Sequence, residues 1–202
     1  MPVALESSSS HTLTANGDVL TIQTGRTWTQ FKHLQKGFEN THGIRLFYHN
    51  GTVEILMPGK PHELFKSVIG MLIEVFLLDR EIEFEPTGSM TQEAEGIASA
   101  EADESYKIDG YRLSVEVNFT SGSKAKLDRY RALGVDEVWL WEDAVLRVYH
   151  LHPGGYERVE HSLIPALATV NLAAMAACIL TGETSRVSAV KQFRAAHPVA
   201  VQ

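Results

Sequence analysis

A single cysteine, Cys178, stands among 202 residues, so no intrachain disulfide staples this chain, and a lone thiol fits a reducing, cytoplasmic setting. Long apolar runs are missing as well. The longest, around residues 172–180, falls far short of the ~20 residues a membrane-spanning helix needs and reads as a buried helix, with no membrane partner expected. Basic residues are in the minority: 18 Lys and Arg against 25 Asp and Glu give a formal net charge of −7. That balance counts against a broad electrostatic grip on nucleic acid while leaving room for a local basic groove. The N-terminus lacks a basic region ahead of an apolar segment, so no secretory signal is expected.

What is present is ordinary for a globular protein. Hydrophobic residues make up 44% and charged residues 21%, which, at this length, predicts one domain with a sizeable core. Residues 1–24, rich in Ser, Thr and Gly and without a sustained period, read as a flexible arm ahead of a single domain over 25–202. Thr27 to Gln30 fits a capping box that opens a helix towards Gly37. Asn50-Gly51 between two apolar stretches predicts a hairpin. After Pro61, Leu64, Phe65, Val68, Ile69, Leu72, Ile73 and Phe76 give the broad apolar face of a helix packed on a sheet.

Strands are expected near residues 82–85, 89–92, 99–106 and 112–119. A helix follows, ended by Gly134, and then a strand over 137–141. Strand, helix and strand with short links predict a parallel crossover, and strands at 145–150 and 156–160 an antiparallel extension. Helices near 166–180 and 187–195 close the chain. The architecture expected is α/β, with a mixed central sheet flanked by helices and extended by antiparallel hairpins.

One place puts polar residues where a fold does not want them. Leu113, Val115, Val117 and Phe119 share one face of a strand and Ser114, Glu116 and Asn118 the other, so Glu116 lies in mid-strand. An ionised carboxylate inside a sheet needs a partner. The crossover brings Lys126, in the first turns of the following helix, over the end of that strand. Pairing with the strand that carries Asp103 would let both carboxylates and a backbone carbonyl hold a hard divalent cation, with water completing the shell. A salt bridge between these acids and the lysine accounts for the same spacing equally well.

A longer series carries a resemblance. It comprises His62-Glu63 opening a helix, Glu85-Pro-Thr-Gly88, Ala102-Asp-Glu-Ser-Tyr106, Ser114-Val-Glu-Val117, Lys126-Leu-Asp-Arg-Tyr130, and Leu133 through Asp143. In order and spacing, from about Thr27 to Phe193, it resembles the Uma-type restriction endonucleases of the PD-(D/E)XK nuclease superfamily. The resemblance implies a restriction-endonuclease-like core and metal-dependent hydrolysis of DNA. It also implies Asp103, Glu116 and the carbonyl of Val117 on Mg²⁺ or Mn²⁺, Lys126 placing the attacking water, and Glu63 acting through a second metal or a water. A homodimer follows by analogy with nucleases that cut two strands. The chain departs from the pattern twice: Ala102 replaces the usual proline, and Asn118 stands where the simplest motif has its lysine. A non-catalytic nuclease-fold module that binds nucleic acid or protein is the alternative, and RNA is not separated from DNA as substrate.

Other candidates carry less. His150 and His152 lack further ligands at zinc spacing. Trp139 and Trp141 read as packing, Ser121 and Ser123 as helix caps. Lys124, Arg129, Arg131, Lys191 and Arg194 read as solvated helix faces.

Overall fold

The computed structural model describes residues 8–119 and 123–199. The segment expected to be an arm is instead a hairpin, β1 (Ser10–Ala15) and β2 (Asp18–Gln23), paired antiparallel. Residues 1–7 lie outside the described residues. The correction has a sequence signal behind it: Asn16-Gly17 sits between Thr12-Leu-Thr14 and Val19-Leu-Thr-Ile22, a tight turn between β-favouring runs. Leu20 is buried and β2 adds to the next hairpin, so tertiary burial holds what composition alone left loose.

Helix α1 (Trp28–Gly37) starts at the expected capping box. Thr27 Oγ1 accepts from the Gln30 N–H at 3.2 Å, and Gln30 Oε1 from the Thr27 N–H at 2.9 Å. Strands β3 (Arg45–His49) and β4 (Thr52–Met57) flank Asn50 and Gly51, whose φ values of 44° and 80° suit the two-residue turn. Then come α2 (Lys60–Leu78), β5 (Phe84–Pro86), β6 (Thr91–Ala94), β7 (Ala98–Glu101), β8 (Glu104–Ile108), β9 (Tyr111–Val117) and α3 (Ser123–Leu133). β10 (Glu137–Glu142), β11 (Val145–His152), β12 (Gly155–Val159), α4 (Leu172–Gly182) and α5 (Arg186–Ala196) complete the chain. The helix expected from residue 166 begins six residues later, because a 3₁₀ turn fills Pro165–Leu167 and Asn171 Oδ1 caps the Ala174 N–H at 2.9 Å.

The strands form two sheets rather than one. The first, in the order β1-β2-β4-β3-β7-β6, is antiparallel throughout; the second, β12-β11-β10-β9-β8-β5, is mixed, with β9 and β10 parallel around α3 as the crossover requires. The strand expected over 99–106 is split at Ala102 and Asp103, its first half pairing in one sheet and its second in the other. Asp103 therefore stands where the chain passes between sheets. Three clusters hold the layers. Phe31 of α1 packs on Leu46, Tyr48 and Val53; Tyr130 and Leu133 of α3 pack between Phe47 and Leu56 of the first sheet and Val138 and Leu140 of the second. On the far side, α2, α4 and α5 cover Leu113, Val115, Val117, Trp139 and Trp141. The result is an α/β fold of the restriction-endonuclease-like type.

Candidate active site

The alternation of β9 decides where Glu116 points. Leu113, Val115 and Val117 belong to the core under α2, so Ser114 and Glu116 face the opposite side, where α3 lies. There Lys126 Nζ donates to Glu116 Oε2 at 2.9 Å, and the Tyr130 hydroxyl donates to Oε1. Lys126 and Tyr130 are one helical turn apart and so reach the same carboxylate. All three are buried. Burial alone would push the Glu116 carboxyl up, but the charges of Lys126 and Arg129 and the two hydrogen bonds outweigh it and hold it below its ordinary value. Burial and the neighbouring carboxylate push Tyr130 the other way, well above the usual phenol, so its hydroxyl stays a donor.

Asp103 is one backbone step from that pair. Glu104 sits across from Val115, and the Asp103 N–H donates to the Val115 carbonyl at 3.1 Å, which brings Asp103 opposite Glu116. Its carboxylate serves other partners, however. Oδ2 accepts the Val117 N–H at 2.6 Å; Oδ1 takes His62 Nε2 at 2.8 Å and a contact from the Arg45 guanidinium. Arg45 Nη2 also donates to Glu63 Oε1 at 2.7 Å, so this one cation bridges Asp103 and Glu63. Glu63 is half exposed, with Lys66 3.8 Å away, and borders a polar cavity of about 320 Å³ that Arg45, Pro58, Lys66, Ser89 and Glu101 also line. Burial pushes the Glu101 carboxyl up, partly offset by Thr91 and Arg45. A larger hollow of about 570 Å³, between β11, β12 and α4, contains none of these residues.

The four side chains named from sequence thus fall into two adjoining groups, Glu116 with Lys126 and Asp103 with Glu63, the second joined through Arg45. Asn118 donates to Glu142 and does not take the lysine's place. Sequence reasoning missed Asp18, Arg45 and His62 as members of the site. Asp18 lies in the supposed arm, and His62 enters the sequence reading only beside Glu63 at the start of a helix. Arg129, expected on a solvated face, is 1% exposed, with its guanidinium over the Phe47 ring and Nη1 3.1 Å from Glu54 Oε2. His150 is partly buried and 3.3 Å from Glu137 Oε2, and both tryptophans are core residues. Ser121 lies outside the described residues.

A family model described as "Putative restriction endonuclease", Uma2, matches residues 28–176. The chain belongs to the Uma2 family. No curated protein matches it. The match spans every expected site residue, from Glu63 to Lys126, and the family's description points to a nuclease. Two buried carboxylates on neighbouring backbone positions are hard oxygen donors, and Mg²⁺ is commonly held by one or two carboxylates with water completing its octahedron. Asp103 and Glu116 are donors of that kind, with each carboxylate oxygen held by a protein group. No cluster of three or more His, Cys, Asp or Glu able to hold a metal occurs among the described residues. No helix among those residues is long and apolar enough to cross a membrane.

Proposed function

We propose that this Uma2 protein is a metal-dependent endonuclease that hydrolyses DNA phosphodiester bonds. The observation that carries the reading is the buried Glu116–Lys126–Tyr130 group set one backbone step from Asp103. A buried ion pair is weak evidence of stability, because desolvating two charges offsets most of their attraction. A functional role accounts for its position against a motif aspartate. Asp103, Glu116 and the Val117 carbonyl would hold Mg²⁺ or Mn²⁺. Bound there, the ion would lower the pKa of its water and neutralise charge on the scissile phosphate.

The chain's own groups do the rest. Glu116 holds Lys126 in place at 2.9 Å; Tyr130 fixes the other carboxylate oxygen, so the lysine's remaining protons can face water or phosphate. Lys126 would thereby orient the attacking water, and Glu63, at the edge of the polar cavity, would act through a second ion or a water. A homodimer would bring two such sites to two strands.

One observation favours a second reading, a nuclease-fold module that binds without cutting: each oxygen of Asp103 and Glu116 already has a protein partner. Plasmid nicking and Mn²⁺-dependent melting separate the two. For the enzyme, wild type nicks plasmid with Mg²⁺ or Mn²⁺ and not with EDTA, and its melting temperature rises with Mn²⁺ through binding to the native state. Glu116→Gln loses both, whereas Lys126→Gln keeps the metal response and loses nicking. A wild type with neither metal response nor nicking supports the binding module.

A further inference from the structure

We infer that Asp18 and His62 are positioning residues for Asp103, and that the N-terminal hairpin is built into the active site through them. This rests on the proposed role of Asp103 as a metal ligand. His62, the third residue of α2, is fully buried, with one ring nitrogen on each of two carboxylates: Nε2 is 2.8 Å from Asp103 Oδ1 and Nδ1 is 2.8 Å from Asp18 Oδ2. Asp18 and Asp103 are each 1% exposed. The other Asp18 oxygen accepts the Gly59 N–H at 2.7 Å. Asp103 Oδ2 in turn accepts the Val117 N–H at 2.6 Å.

A chain of contacts therefore runs from the loop before α2, through the hairpin strand β2 and the first turn of α2, to the strand that carries Glu116. A second observation shows that the backbone is shaped for it. A Cβ on Gly59 would lie 2.6 Å from the Gly17 carbonyl carbon and 2.9 Å from the Asn16 oxygen, so only glycine lets the β1–β2 turn seat against the start of α2. Asp18 follows that turn directly.

Two buried carboxylates joined by one imidazole are an expensive way to fasten a hairpin, which burial of Leu20 and pairing with β4 already hold. The arrangement does what partners behind metal ligands do, in which an outer carboxylate fixes a ring and the ring fixes the group at the centre. Asp103 needs such support because it lies at the break between sheets, outside both β7 and β8, with its N–H on the Val115 carbonyl of β9. With His62 and Arg45 on Oδ1 and the Val117 amide on Oδ2, the carboxylate plane is set from three directions.

The test uses the full chain with two variants, Asp18→Asn and His62→Gln. Asp18→Asn keeps the side-chain shape and one acceptor for Gly59, while removing the second oxygen that faces His62. The first readout, in EDTA and without DNA, is hydrogen exchange of the Val117 amide beside amides of β10 and β11, with melting temperature as control. The second is Mn²⁺ affinity, followed by the electron spin resonance of free Mn²⁺. Positioning predicts that Val117 exchange rises at least about tenfold while β10 and β11 hold, and that Mn²⁺ affinity falls about 10–100-fold, the usual effect of losing such support. Unchanged Val117 exchange, or an equal rise at every amide with a large loss of melting temperature, overturns the inference. If Val117 responds alone but wild type neither binds Mn²⁺ nor nicks plasmid, the positioning of Asp103 stands and the nuclease reading fails.

Discussion

Glu116 ties stability to pH in a direction fixed by its neighbours. Burial opposes its charge, but Lys126, Arg129 and the Tyr130 hydroxyl win, so the folded carboxyl titrates below its usual value of 4.5. A carboxyl lowered by folding adds stability that is complete above the unfolded value and is lost as pH falls through the folded one. In EDTA, urea midpoints should therefore drop between pH 6 and pH 3, and Glu116→Gln should show a shallower drop. Equal acid sensitivity in the two proteins would rule out Glu116 as a contributor. Removing the cation is harsher. Lys126→Met leaves a buried carboxylate without its nearest charge and should destabilise by about 3–5 kcal/mol, whereas the double variant with Glu116→Leu should recover most of it. Denaturant titration of the three proteins checks this, and failure of the double variant to recover would mean that α3 depends on the pair for its packing.

At the scale of elements, the sequence was most readable where a local signal and the tertiary demand agree. Thr27→Ala removes one half of the α1 capping box and should cost about 1 kcal/mol by urea titration. A loss beyond roughly 2 kcal/mol would mean that Thr27 does more than cap. The β3–β4 hairpin and α2 were legible for the same reason, Asn-Gly in one and a wide apolar stripe in the other. The strand over 99–106 was not. Ala98 to Ile108 carries no turn signal at Asp103, and only pairing with two different neighbours, β6 on one side of the break and β9 on the other, divides it into β7 and β8. β10 depends on a buried acid that periodicity could not rank. Glu137 accepts from Trp139 Nε1 at 2.7 Å, Ser162 Oγ at 2.6 Å and the Leu163 N–H at 2.9 Å, clamping the loop after β12 to the sheet. Glu137→Ala should leave those buried donors unpaired.

Across the whole molecule, charge limits the grip on DNA. With a net charge of −7, any attraction to phosphates comes from a few local cations, and long-range steering opposes it. If two phosphates are contacted, fluorescence anisotropy with a short duplex should show affinity falling about tenfold between 50 and 200 mM salt. Affinity that is indifferent to salt would point to a partner other than nucleic acid.

Local sequence determined the face on which Glu116 lies, the helix that carries Lys126 and the parallel crossover between them, because periodicity and short loops leave one geometry for a strand–helix–strand unit. It also carried the family resemblance that the Uma2 match supports. Tertiary structure alone decided that Asp18 belongs beside the site, that His62 faces two carboxylates, and that Arg45 bridges Asp103 to Glu63. Those contacts join residues 18 to 58 positions apart in the chain, where hydrophobic period and turn chemistry carry no information. Burial of charge is affordable only once every partner has arrived, and that condition is met by the assembled fold and by no segment of it.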